Sequence, residues 1–277
     1  MIDEISNYQR LCEISDGGLA TVGEAESYLT SRAQCRNVLS SFEILATKYV
    51  GETAENYERS RLGHKWHSEH EAFKQLLSSV PDGATVLDIP IGTGRLLPFF
   101  QERRFDTSGI DISPDMLAQA RVTAKSIGLP ARIHEGDIRS VPFPTNSFDL
   151  VACLRFLNLV DERGLELVFA ELARLSNDKV LIGIRYVISL TDFRGTPWDF
   201  ARLMARPVWF ARWVFHFLFG YRKIAKAHRQ AFVFRAISKF GLSLVEMRHV
   251  ERRWDSTDYV LLLLQKNPQS VSLAVVQ

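Results

Sequence analysis

Two glycines and two acids stand at intervals that suit the binding of a nucleoside. Gly92 and Gly94 lie in a turn, Pro90 to Gly94, between a β-branched and aliphatic run (Thr85 to Ile89) and apolar residues that resume helical spacing from Arg95. Read as strand, loop and helix, TVLDIPIGTGRLLPFF removes Cβ atoms where the chain reverses. A ligand can then approach the backbone, and the N–H groups at the helix start can face it. Such a loop binds the polar part of a cofactor. Roughly twenty residues on, after a second short strand (Thr107 to Ile110), Asp111 is placed to take ribose hydroxyls, and a third strand ends in Gly136-Asp137. A dinucleotide fingerprint would want G-x-G-x-x-G, but Leu97 stands three residues past Gly94 and Arg95 replaces a small residue, which disfavours a nicotinamide cofactor.

The elements that hold these residues alternate. From Val80 onward strand and helix follow one another, which predicts a parallel sheet with right-handed crossovers. Ser113-Pro114-Asp115 reads as an N-cap, a proline in the first turn and an acid, opening a helix Met116 to Ser126. Ser147 to Leu154 is a strand, Glu162 to Arg174 a helix and Lys179 to Arg185 a fifth strand. Phe232 to Phe240 is a last helix stopped by Gly241, and Leu242 to Val250 and Ser256 to Gln265 are closing strands. The 277 residues, 46% hydrophobic, fit one α/β domain with helical additions. A net charge of +2 gives no argument for nucleic acid, and the three cysteines, Cys12, Cys35 and Cys153, are too few for a disulfide framework or zinc site. No signal peptide or membrane-spanning run is visible, so a cytoplasmic protein is expected.

The segments VLDIPIGTGR, GIDISPDMLAQAR and GDIRSVPFPTNSFDLVACL, in that order, resemble class I S-adenosylmethionine-dependent methyltransferases of the broad group that includes the ubiquinone-pathway C-methyltransferases. The resemblance covers roughly Val80 to Asp161, with a weaker echo to about Lys266. It implies a Rossmann-like α/β fold: a seven-stranded, mostly parallel sheet with an antiparallel last strand, helices on both faces, N-terminal helices and a helical lid insert. It also implies S-adenosyl-L-methionine as cofactor. The implied cofactor residues are Asp88, Ile89, Pro90, Gly92 and Gly94, then Asp111, Ile112 and Met116, then Asp137, Ile138 and Leu154. Asp111 takes the ribose, Met116 and the backbone near Ile112 border the adenine, Asp137 accepts from its amine and Ile138 packs on the ring. A plain turn role for Asp137 is the alternative. In similar enzymes the segment before the first strand folds over the methionine end, which nominates Tyr57 and Arg61. One departure is Pro90, where the family usually has glycine: proline stiffens the turn and removes a donor.

At the carboxyl end of the fourth strand, where open α/β sheets place ligands, stand Arg155 and Asn158. Similar enzymes often carry a histidine pair there. Arg155 is not a base at neutral pH but can hold a carboxylate or phosphate with paired donors, which favours an anionic acceptor. A salt bridge from Arg155 to Asp161 or Glu162 is the structural alternative. His64, His67 and His70 share a helix face without completing a metal set, so no metal is expected; as a general base one of them is more plausible, and His67 is nominated. The aromatic and basic segment Asp192 to Gly220, continued to Arg229, lies where such enzymes insert substrate lids. A lid over an apolar or lipid-linked acceptor, a peripheral contact with the inner face of the membrane, plain packing and dimerisation all remain open.

The expected organisation is an N-terminal cap over 1–55, a cofactor-binding core over 56–190, a lid insert over 191–230, core helix and strands over 231–266 and a tail over 267–277. The function this supports is methyl transfer to a small-molecule or lipid-linked acceptor, by a monomer or homodimer. A catalytically silent binding protein of the same fold is the alternative. No motif of base-directed methyltransferases follows the fourth strand, so a nucleic-acid partner is not expected.

Overall fold

A computed structural model describes residues 64–187, 227–252 and 257–267. The expected cap over 1–55 and nearly all of the expected insert lie outside the described residues. The described chain opens with helix α1 (His64–Leu77), then runs β1 (Thr85–Asp88), α2 (Leu97–Glu102), β2 (Asp106–Asp111), α3 (Pro114–Ile127), β3 (Arg132–Glu135) and β4 (Phe148–Cys153). A 3-10 turn (Leu157–Leu159), α4 (Glu162–Leu175) and β5 (Ser176–Val187) follow. The last part is β6 (His228–Arg229), α5 (Gln230–Lys239), β7 (Leu242–Arg252) and β8 (Thr257–Lys266).

These strands make one eight-stranded sheet, ordered β3-β2-β1-β4-β5-β8-β7, with β6 paired to β5. β1 to β5 are parallel, and β8 inserts between β5 and β7, antiparallel to both. The sheet thus has one strand more than the seven expected. The addition is the two-residue β6, too short to leave a periodic signal in the sequence.

Both faces of the sheet are covered, so its strands are apolar on both sides. On β4, Leu150 and Ala152 face α1, α2 and α3, where Phe73, Leu97, Phe100, Leu117 and Ala120 pack. Val151 and Cys153 face α4 and α5, against Phe169, Leu172, Val233 and Ile237. The same alternation runs along the five consecutive apolar residues Val260 to Leu264 of β8. Each such side chain withdrawn from water contributes about 1.5–3 kcal/mol.

The helices start and stop on the residues that the sequence marks. Ser113 caps α3, its hydroxyl accepting from the Met116 N–H at 3.3 Å, and Gly128 ends it in the left-handed conformation. Asp161 caps α4 by accepting from Gly164 N–H at 2.8 Å. The chain order places β1 beside both β2 and β4, so the chain winds in opposite directions from β1 and a crevice opens outside the strands' carboxyl ends.

Candidate cofactor and active site

The crevice is walled by three loops, one after each of β1, β2 and β4. Pro90, Ile91, Gly92, Thr93 and Arg95 come from the first, Asp111, Ile112, Ser113 and Met116 from the second, and Leu154, Arg155, Phe156 and Leu159 from the third. Gly92 and Gly94 both have positive φ, 56° and 79°, but they serve different ends. A Cβ on Gly92 would meet nothing within 4 Å, so this side of the loop is open to a ligand. A Cβ on Gly94 would lie 3.1 Å from the Ala120 Cα, so this glycine lets the loop press against α3.

Asp111 ties the first two loops together. Its Oδ2 accepts from Gly92 N–H at 2.8 Å and its Oδ1 from Ser113 N–H at 2.9 Å. Burial raises its pKa, and the N–H groups of Ser113, Gly92 and Ile112 act in the opposite sense. A carboxylate has about four lone-pair sites, so beyond these three N–H groups the residue can still accept from a sugar hydroxyl. Three of the loop's N–H groups are spent within the protein. Gly92 gives its N–H to Asp111, Gly94 to Ile91 O and Leu97 to Gly94 O. The helix itself begins only at Leu97. Successive tight turns take up these three donors. Pro90 fits because the N–H groups on either side of it are used across the sheet, Ile89 to Ala152 O and Ile91 to Ile110 O.

Asp88 lies beneath the loop, 2% exposed, and its Oδ2 has no hydrogen-bond partner among the described residues. Burial pushes its carboxyl up to about 8; Arg95 opposes the shift and Asp111 adds to it. The neighbouring Cys153 is fully buried, and burial, then Asp88, push its thiol well above the usual range, so it is an inert packing group.

At the other end of the crevice, Arg155 and Arg95 converge on one carboxylate, that of Glu69 on α1. Arg155 Nε reaches Oε1 at 3.0 Å and Oε2 at 3.1 Å, and Nη2 reaches Oε2 at 2.8 Å. Arg95 Nη1 lies 3.0 Å from Oε2, and the Tyr259 hydroxyl of β8 donates to Oε1 at 2.9 Å. Burial alone would raise the Glu69 pKa, but Arg95 and Arg155 hold it down at about 2, so it is ionised. The Arg155 guanidinium also lies over the Tyr259 ring, 4.1 Å from its centre. Gly183 on β5 leaves the room that the Tyr259 phenol occupies. Arg155 holds φ at 62°, a left-handed conformation that costs a non-glycine residue about 1–3 kcal/mol and is kept where surrounding contacts enforce it.

The crevice therefore gathers Pro90, Gly92, Asp111, Ile112, Met116, Leu154 and Arg155 from the residues nominated by sequence. Others stand elsewhere. Ile89 and Ile138 are core residues, and Asp88 and Gly94 lie behind the loop. Asp137 is gripped by Arg139, whose Nε lies 3.0 Å from Oδ1 and 2.9 Å from Oδ2, while the Arg139 N–H closes a turn on Oδ1 at 2.8 Å. The turn role is thus filled, and neither Asp137 nor Ile138 lines the crevice. Asn158 is buried and its Oδ1 accepts from Arg185 N–H at 2.5 Å, which ties the loop after β4 to β5 and turns the amide away from the crevice. His67 is exposed on α1 and does not line the crevice. Tyr57 and Arg61 lie outside the described residues. The partner of Arg155 is neither Asp161 nor Glu162: Asp161 caps α4, and Glu162 pairs with Arg229. Among the described residues no three His, Cys, Asp or Glu side chains could hold a metal. Sequence reasoning missed Glu69 and Tyr259, and it read Arg95 only as evidence against a nicotinamide site.

These residues fit S-adenosylmethionine. The open face at Gly92 and the Asp111 carboxylate suit an adenosine, and Ile112 at 38% exposure and Met116 offer apolar surface for its ring. When bound, the cofactor supplies a methyl group activated by a positively charged sulfur. Residues 86–179 match the family model described as a methyltransferase domain. With the strand order and the crevice, this match makes the segment 86–179 a methyltransferase domain on a Rossmann-like sheet.

Among its relatives, the phosphatidylethanolamine N-methyltransferase of Cereibacter sphaeroides is 37% identical over 95 residues, 34% of this chain and 45% of that protein. The demethylmenaquinone methyltransferase of Thermus thermophilus is 38% identical over 92 residues, 32% of this chain and 42% of that protein. The alignments span less than half the length of either relative. In fold, the chain is similar to magnesium protoporphyrin IX methyltransferase from Synechocystis PCC 6803 with bound SAH. The TM-score is 0.54 at 15% identity, covering 96% of this chain and 95% of that one.

Proposed function

We propose that this protein transfers a methyl group from S-adenosylmethionine to a small-molecule or lipid-linked acceptor. The observation that carries the reading is the crevice at the carboxyl ends of β1, β2 and β4, with Asp111 bridging the loops after β1 and β2. In the transfer the bond from methyl carbon to sulfur breaks, its electron pair stays on the sulfur, and a lone pair or carbanion of the acceptor forms the new bond. Such an in-line displacement is accelerated chiefly by alignment, and the acceptor's proton is lost before or after it.

The acceptor class is supported by the names of relatives that act on phosphatidylethanolamine and demethylmenaquinone, and by the aromatic and basic composition of 192–229. An anionic acceptor would meet Arg155 with its Nε and Nη2 already turned to Glu69. No helix among the described residues is long and apolar enough to cross a membrane. A lipid-linked acceptor would therefore be met at an interface.

The test is to incubate the protein with methyl-labelled S-adenosylmethionine and fractionated cell extract. Label in an organic-soluble product supports the lipid-linked reading, and label in a small water-soluble product supports the other half of the proposal. Absence of label in every fraction, with cofactor bound, would replace the transferase with a binding protein of the same fold.

A further inference from the structure

Glu69 stands apart from the three loops that build the crevice. It belongs to α1, which precedes the sheet, and it is 1% exposed. A buried carboxylate is costly, and this one is retained with three donors from three distant parts of the chain: Arg95 after β1, Arg155 after β4 and Tyr259 of β8. Two of the three, Arg95 and Arg155, also line the crevice. Long arginine side chains lose much rotamer freedom when fixed, and here one carboxylate holds both while the Tyr259 ring backs Arg155. The arginines lie at the end of the crevice built by the loops after β1 and β4, whereas Asp111, Ile112 and Met116 occupy the end suited to adenosine. A ligand extending from its adenosine along the crevice meets the arginines with its other end.

We infer that Glu69 is a positioning residue: it holds Arg95 and Arg155 side by side so that their guanidinium groups receive the carboxylate at the amino-acid end of the cofactor. Glu69 touches neither cofactor nor acceptor. It acts through the two arginines, and its buried bond to Tyr259 ties α1 to β8. The inference rests on the methyltransferase reading of the site.

The experiment compares two probes that share the adenosine and thioether but differ in the amino-acid end, S-adenosylhomocysteine and 5′-methylthioadenosine. Calorimetric dissociation constants for wild type and Glu69→Gln give the preference for the first probe over the second. In Glu69→Gln the preference falls at least about fivefold while the affinity for methylthioadenosine stays within twofold of wild type. A residue that served only the fold would weaken both probes alike, so an unchanged preference overturns the inference. A larger preference overturns it too, because Glu69 would then compete for the arginines. Should Glu69→Gln fail to fold, Arg155→Lys carries the same test: it keeps the charge but not the fork and lowers the preference in the same way, and an unchanged ratio overturns the inference. Wild-type protein that binds neither probe overturns the methyltransferase reading itself, which separates the two failures.

Discussion

Asp88 and Glu69 are both buried acids at one crevice, and their surroundings push them in opposite directions. Asp88 Oδ2 has no hydrogen-bond partner among the described residues, and burial raises its pKa from 3.8 to about 8. The unfolded chain therefore releases this proton first, and stability falls as pH rises from about 4 through about 8. Asp88→Asn, the neutral isostere, is expected to raise the melting temperature at pH 8 by at least about 3 °C and to leave it nearly unchanged at pH 4. Circular-dichroism melts at the two pH values check this. Glu69 has its pKa lowered from 4.5 to about 2, so its contribution is complete above about pH 4.5 and is lost as pH falls through about 2. Glu69→Gln should cost roughly 3 kcal/mol at pH 7, because two guanidinium groups lose their carboxylate, with the difference shrinking below pH 4. Denaturant titrations across that range measure it. The stabilising effect expected of Asp88→Asn is the usual counterpart of a binding site kept at a cost to the fold.

The loop after β1 separates two duties at the scale of an element, and its glycines can be told apart by experiment. Gly94→Ala forces a methyl against the α3 backbone at a residue with φ of 79°, and about 2–3 kcal/mol of stability should be lost. Gly92→Ala meets open space, so about 1 kcal/mol of backbone strain is expected, while the added methyl in the crevice weakens S-adenosylhomocysteine several-fold. Equal stability losses in the two variants would contradict this division.

The loop itself was legible because strand, turn and helix signals follow one another in a few residues, and Asp111 was legible because its distance from the loop is short along the chain. The direction of the loop's N–H groups was not legible, since it depends on which turns close after Pro90. Asp137 shows a second limit: the sequence marks an acid at a strand end, but whether Arg139 or a ligand takes it depends on the side chain's path. Glu69 shows a third. It lies among histidines that invite a different reading, and its partner Tyr259 is 190 residues away, so no local pattern joins them. Asn158 was placed near the site by position alone, and only the fold shows its amide turned to β5.

For the whole molecule, the strand order β3-β2-β1-β4-β5-β8-β7 was legible as a class because alternating strands and helices admit few connections. The acceptor is written less plainly, since fold does not choose a substrate, and the segment 192–229 that would shape its pocket lies almost wholly outside the described residues. The central claim is that the crevice binds S-adenosylmethionine through Asp111, and titration calorimetry with S-adenosylhomocysteine tests it most directly. The account predicts one site per chain in the wild type, affinity reduced more than tenfold by Asp111→Ala, and no heat with a nicotinamide dinucleotide. Wild-type affinity in the Asp111→Ala variant, or binding of the dinucleotide in place of the adenosyl ligand, would contradict it.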